Sequence, residues 1–205
     1  IEDKKVREKY LKRTAKGVER LIYVVKDLDL ITQFESGIKT IDRKYFDLGQ
    51  LIENVFELLE IQALKNKITL SFDQEYQNNL NVFADEERIQ QVLTNLIINS
   101  LKYGVKNGKT VVNFEELSEE KILVRVTDNG EGIQEEHMPR LFERFYRVDK
   151  SGNRKAGGSG LGLAIVKHII EAHKEKLFVE STPGVGSVFA FTLQRATSIV
   201  TPSQD

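Results

Sequence analysis

Cysteine is absent from this 205-residue chain, which excludes disulfides, thiolate nucleophiles and thiolate metal ligands. That absence fits a reducing compartment. Surplus charge is absent as well: thirty basic residues stand against thirty-one acidic ones, a formal net charge of −1. Nucleic-acid and membrane-binding surfaces want a basic excess, so neither partner is expected for this chain. No apolar run approaches the roughly 20 residues that cross a bilayer, and no signal-peptide pattern opens the chain. The first residue is isoleucine rather than methionine, so a piece of a longer protein is expected. Two phosphate-binding patterns are missing too. There is no G-x-x-x-x-G-K-[ST], and the polar residues 149–157 ahead of the glycines at 158–162 do not read as the strand that a dinucleotide fold requires.

What is present, 40% apolar and 30% charged residues, is the composition of a globular protein. The length suits one good-sized domain, with or without an appendage. Residues 6–34 hold no proline and a single glycine, Gly17. Leu11, Val18, Leu21, Val25 and Leu28 recur at alternating steps of three and four, with Thr14 the weak member, as in the seam of a coiled coil or antiparallel bundle. Ile22, Val24 and Ile31 widen the stripe and favour a bundle. Packing back on its own domain is the alternative for this helix. The stop and short linker at 35–39 favour an element of a dimerisation bundle.

Beyond it, Leu48, Leu51, Ile52, Val55, Leu58 and Leu59 mark an amphipathic helix. Residues 67–73 alternate as a strand, and 84–103 read as a second helix with Asp85 able to cap it. Strands are predicted at 110–116 and 121–127, a third helix at 160–173, and a closing strand pair at 176–181 and 187–193. One sheet with its helices on one face is the α+β arrangement this order predicts.

The chemistry-bearing residues cluster in a few places. Gly158, Gly160 and Gly162 alternate ahead of an apolar helix whose free amides attract anions, although a flexible connector would look the same. In the second helix Asn95, Asn99, Lys102 and Tyr103 share one side, at i, i+4, i+7 and i+8. Two mid-helix asparagines cost about 0.5 kcal/mol each against alanine. Their carboxamide oxygens suit a hard cation such as Mg²⁺ and the lysine suits a phosphate; solvent-facing or core-bonded asparagines remain an equal reading. Asp128-Asn129-Gly130-Glu131-Gly132-Ile133 follows a strand. A carboxylate there can accept the exocyclic amine of adenine, and an ordinary loop is the alternative. In Leu141-Phe142-Glu143-Arg144-Phe145-Tyr146-Arg147 the aromatics are expected in the core and Arg147 at a phosphate. Residues 149–157 have the composition of a mobile lid.

In this order and spacing the chain closely resembles the catalytic region of bacterial sensor histidine kinases of the phosphate-regulon sensor-like kind. Five motifs carry the resemblance: an N box at 85–103, a G1 box at 128–133, an F box at 141–147, a G2 box at 158–162 and a third glycine box at 182–187. It implies a Bergerat-type ATP-binding two-layer sandwich at 47–195, a mixed sheet with three helices on one face. It further implies that 1–36 is the second helix of a dimerisation and phosphotransfer hairpin, that 37–46 is a linker and that 196–205 is a disordered tail. ATP and Mg²⁺ are the implied cofactors. By position, Mg²⁺ falls to Asn99 with Asn95 beside it, the phosphates to Lys102 and Arg147, and adenine N6 to Asp128. Tyr103, Gly130, Gly132, Ile133 and Phe142 are implied around the nucleotide, with Ser187 beside them. Gly158, Ser159, Gly160, Leu161 and Gly162 are implied to anchor a lid over the phosphates. The implied chemistry is γ-phosphoryl transfer, in which positioning and charge neutralisation do most of the catalysis.

Gyrase, the mismatch-repair clamps, ninety-kilodalton heat-shock chaperones and anti-sigma serine kinases are similar, but resemble one another in a glutamate general base four residues before the metal-binding asparagine. Asn95 stands there in this chain. A neutral amide cannot take a proton from water or serine, whereas a neutral imidazole is already a nucleophile. Histidine phosphorylation is thereby favoured. His137, His168 and His173 are the only histidines, and none sits in a His-Glu or His-Asp context. The acceptor is therefore expected on a first hairpin helix outside this chain, in a membrane-anchored parent whose cytoplasmic part this is. The resemblance implies a homodimeric parent and a response-regulator receiver domain as partner. A non-catalytic nucleotide-binding module and an ATPase clamp are the alternatives.

Overall fold

The sheet is built by two hairpins and one crossover. β4 (Lys109–Ser118) turns tightly into β5 (Lys121–Asp128), and β6 (Leu177–Thr182) turns into β7 (Gly186–Gln194). β7 pairs antiparallel with β5, and β2 (Thr69–Phe72) adds parallel to β4, so the order is β2-β4-β5-β7-β6. A parallel neighbour needs a long crossover, and here it contains β3 (Asn81–Ala84) and α3 (Glu86–Tyr103). The computed structural model describes residues 4–37, 40–73, 80–148 and 158–196. The lid expected at 149–157 therefore lies outside the described residues, as does most of the tail at 196–205. Ala196 itself is held, its N–H donating to Asn81 O at 2.9 Å.

Three helices cover one face of the sheet: α2 (Leu48–Asn66), α3 and α4 (Gly162–Ala172), with α3 between the other two. Each starts where its sequence allows. Asp47 Oδ1 accepts from Gly49 N at 2.9 Å and caps α2, and Asp85 Oδ1 accepts from Arg88 N at 3.1 Å and caps α3. The core stripe of α3, Ile89, Val92, Leu93, Leu96 and Ile97, is fully buried. That packing turns Asn95, Asn99, Lys102 and Tyr103 to one flank. In α2 the expected stripe loses a member, because Leu58 points outward with Ile61 and Leu64. α4 begins two residues later than predicted. Gly160 adopts φ +76°, which no right-handed helix admits.

Two strands were not predicted. β1 (Lys44–Asp47) pairs antiparallel with β3 as a separate two-stranded sheet, and β1 overlaps the end of the span 37–46 read as a linker. Four residues are too few for alternation to register, so these strands owe their existence to pairing rather than to pattern.

Helix α1 (Lys4–Glu35) divides along its length. Val24, Leu28, Ile31 and Phe34 pack into the core beside α4. Leu11, Val18, Leu21 and Val25 of the predicted seam are exposed, each above half of its surface. The same helix thus carries a docked face at its C-terminal end and an uncovered apolar face before it.

His173 clamps β1, β3 and α4 together. Its ring is buried, Nδ1–H donates to Ile169 O at 2.8 Å, and Nε2 accepts from Asp85 N–H at 3.0 Å. Arg43 Nη2 donates to the His173 carbonyl at 2.6 Å. Burial lowers the imidazole pKa below its ordinary value, outweighing the backbone bond that favours the cation. A proton on Nε2 would face the Asp85 N–H head-on. A depressed folded-state pKa means the contribution is intact above the unfolded imidazole value of about 6.5 and is lost as pH falls from there through the lower folded value. Urea unfolding is expected to show a lower midpoint at pH 5 than at pH 7.5, and His173→Gln is expected to shrink that difference. An unchanged difference in the variant would contradict the clamp.

Candidate active site

A cavity of about 240 Å³ opens where α3, the end of β5, the start of β7 and the beginning of α4 converge. One end is built around Asp128, the last residue of β5, which lies in register with Ser187 of β7. Asp128 Oδ1 accepts from Gly130 N at 2.8 Å and Ser187 N at 3.3 Å. Oδ2 has no partner among the described residues, and the side chain lines the cavity. Burial raises the carboxyl above the usual aspartate range, while the two N–H donors pull it down.

The glycines here permit contact of backbone with backbone. Gly132 has φ +68°, and a Cβ on it would lie 2.1 Å from Thr182 O. A Cβ on Gly186, at φ +141°, would lie 2.0 Å from Asp128 O. The loop after β5 therefore packs directly on the β6–β7 turn, where Gly184 N donates to Glu131 O at 2.7 Å. Ser181 Oγ completes the brace, 2.9 Å from Ile133 N and 2.9 Å from Ser187 Oγ. The third glycine box thus acts as the support that aims Asp128.

The other end is polar and richer in donors. Asn95, Asn99 and Lys102 reach the cavity from α3, and Tyr103 joins them, its hydroxyl 2.8 Å from Lys102 Nζ. Gly158 sits so near that an added Cβ would be 3.1 Å from Lys102 Nζ. Gly160 O accepts from Phe145 N at 3.0 Å, tying the G2 box to the F box. Two buried donors, Asn95 Nδ2 and Arg147 Nε, have no partner among the described residues, and both residues line the cavity. Buried donors are seldom left unpaired, so an acceptor belongs in this end of the cavity. α4 starts at the wall with Gly162 and Leu163, and its N-cap Leu161 provides no side-chain bond, which leaves first-turn N–H groups for an anion.

Most residues singled out from the sequence surround this one cavity, including Ile133, Ser159 and Ser187. Three do not line it. Gly130 lies behind Asp128, where a Cβ would meet Tyr103 O at 2.5 Å; Leu161 is fully buried; Phe142 packs against the core. The F-box aromatics also part company. Phe145 is exposed, with φ +61°, and Tyr146 lines the cavity, so only Phe142 packs as expected. Reading the sequence missed the apolar wall of Ile98, Leu141 and Phe189, whose residues look like ordinary core positions. It also missed Asp27 of α1, which lines the cavity from outside every motif.

Among the described residues no cluster of three carboxylates or histidines could hold a metal ion. The carboxamides of Asn95 and Asn99 fit a hard cation that brings phosphate and water oxygens as its other ligands.

Residues 84–197, more than half of the chain, match the family model of the histidine kinase-, DNA gyrase B- and HSP90-like ATPases. The chain belongs to that family. Within these ATPases it sides with sensor kinases: the sensor histidine kinase WalK of Bacillus subtilis is 35% identical over 196 residues, covering 94% of this chain and 31% of WalK. This ATP-binding chain thus spans about a third of that relative's length. Histidine kinase ThkA, solved in complex with the response regulator protein TrrA, superposes with a TM-score of 0.72 at 28% identity, over 96% of this chain and 54% of ThkA. Full-length ShkA, solved in complex with AMPPNP, has the same fold, with a TM-score of 0.81 at 24% identity over 93% of this chain and 39% of ShkA. Among the described residues no helix is long and apolar enough to cross a membrane.

Proposed function

We propose that the cavity binds ATP with Mg²⁺ and that the domain transfers the γ-phosphoryl group to a histidine on a helical hairpin of its parent protein. The observation that carries this is the polarity of the cavity. An open carboxylate oxygen of Asp128 stands at one end, and the orphaned donors Asn95 Nδ2 and Arg147 Nε stand with Lys102 at the other. Asp128 Oδ2 accepts the adenine amine, Tyr103 and Ile133 flank the base, and Lys102, Arg147 and the first turn of α4 neutralise the phosphates. Asn99 holds the cation, with Asn95 beside it; bound there, Mg²⁺ supplies charge neutralisation between the phosphates. Gly158, Ser159, Gly160 and Gly162 bring backbone close to the phosphate end. Position 95, where the gyrase-like ATPases are expected to carry a glutamate general base, is an amide in this chain. That favours an acceptor that is already nucleophilic over water or serine.

The WalK similarity and the pairing of ThkA with TrrA support the wider assignment: a dimeric sensor kinase whose phosphoryl group passes on to a response-regulator aspartate. In it, α1 serves as the second hairpin helix and the parent is anchored in a membrane with this domain on the cytoplasmic side. The test supplies the chain with labelled ATP, Mg²⁺ and a separate helical hairpin carrying a His-Glu acceptor. Acid-labile label is expected on the hairpin, none on this chain, and phosphate release is expected to stay slow. Steady release of phosphate without transfer would favour an ATPase clamp instead.

A further inference from the structure

The docked end of α1 meets the nucleotide cavity with charged groups as well as apolar ones. Arg20 and Asp27 are seven residues apart and share the helix face that carries Val24 and Ile31. Arg20 Nη2 donates to Gly158 O at 2.9 Å. One helical stretch further on, the Asp27 side chain lines the cavity itself, together with Gly158, Ser159 and Lys102. It also lines a second, more open groove formed by Lys16, Tyr23 and Val24 against Gly158 and Ser159, so it stands where the two spaces join. At the far end of the docked face, Glu35 pairs with Arg144 of the F box and with His168 of α4, the latter at 3.4 Å. Those contacts fix the rotation of α1 that brings Asp27 to the wall.

Asp27 is half-buried and has neither a hydrogen bond nor an ion pair among the described residues. A carboxylate in such a place is disfavoured unless a cation or donor comes to it. Burial accordingly raises its pKa above the ordinary value. Nothing in the packing calls for a charge here, since its helical neighbours Val24, Leu28 and Ile31 supply the apolar contact.

We propose that Asp27 is a specificity-determining residue of the nucleotide site, contributed by the α1 arm, which disfavours a metal-free triphosphate and tolerates the metal complex. The inference rests on the ATP reading above and extends it. A bare triphosphate places uncompensated negative charge in the polar end of the cavity, which this carboxylate borders; a divalent cation among the phosphates removes the repulsion and turns it into attraction. Because such coupling is reciprocal, a metal-free triphosphate also loosens the docked end of α1.

Calorimetry of a nonhydrolysable ATP analogue, with Mg²⁺ and with EDTA, tests this on the whole chain. Asp27→Asn keeps the size of the side chain and is expected to raise metal-free affinity roughly tenfold while changing Mg²⁺-complex affinity little or lowering it. Asp29→Asn, which removes an exposed carboxylate two residues away, is expected to leave the ratio alone. Hydrogen exchange is the second readout. Metal-free analogue should speed exchange in residues 20–34 of the wild type and not of Asp27→Asn. If the wild type binds and Asp27→Asn leaves the ratio of the two affinities unchanged, the role of Asp27 is overturned while the ATP site stands. An equal change in Asp29→Asn would also overturn it, as a general charge effect. If the wild type binds the analogue under neither condition, both proposals fall.

Discussion

Asp128→Asn is expected to reduce ATP affinity by about a hundredfold, near 2.7 kcal/mol, with little change in thermal unfolding. The orientation of this side chain is forced. The oxygen facing the protein must accept from Gly130 N at 2.8 Å and from Ser187 N at 3.3 Å. An asparagine satisfies those donors only with its own oxygen, which turns its NH₂ into the cavity. A donor then meets the donor amine of adenine. Flipping the amide merely moves the clash to the two backbone N–H groups. Calorimetry measures the loss directly, and retained affinity in this variant would show that adenine does not sit against Asp128.

Gly186→Ala is expected to act through the fold, lowering unfolding stability by about 3–5 kcal/mol. The new Cβ would lie 2.0 Å from Asp128 O and 2.9 Å from Asn129 Cα, and both are backbone atoms that cannot rotate away. Relief requires separating the start of β7 from the end of β5, which withdraws Ser187 N from Asp128. Nucleotide affinity therefore falls together with stability, unlike in Asp128→Asn. Gly184→Ala, two residues earlier, supplies the contrast. It too has positive φ, at +76°, but nothing lies within 4 Å of an added Cβ. Only the backbone term remains there, about 1 kcal/mol. Urea denaturation of the two variants checks the ordering, and equal losses would contradict the close-packing account of the third glycine box.

α3 shows why so much of the site was legible in the sequence. Its buried stripe is regular enough to fix the helix rotation, and that rotation alone assigns Asn95, Asn99, Lys102 and Tyr103 to a common flank. The glycine-bearing loops were legible because positive φ and close backbone approach restrict the residue choice. Elsewhere the determinants are tertiary. β1 and β3 are four residues each and find one another across thirty-odd positions, below what alternation can signal. Phe145 is an aromatic in a motif, yet its left-handed backbone and its bond to Gly160 O turn it outward. Leu58 fits a helical stripe as well as its neighbours do, and only the sheet beneath α2 decides that it faces away. Asp27 carries no local signal except a charge interrupting a docked apolar face, and its meaning depends on the packing of α1 against α4.

The polarity of the cavity is most directly tested by a crystal structure with Mg²⁺ and a nonhydrolysable ATP analogue. The expected result is the adenine amine within hydrogen-bond distance of Asp128 Oδ2, the cation on Asn99, and phosphate oxygens on Lys102, Arg147 and the first turn of α4. A nucleotide lying in the reverse direction, or seated in the groove of Lys16 and Tyr23 instead, would contradict it.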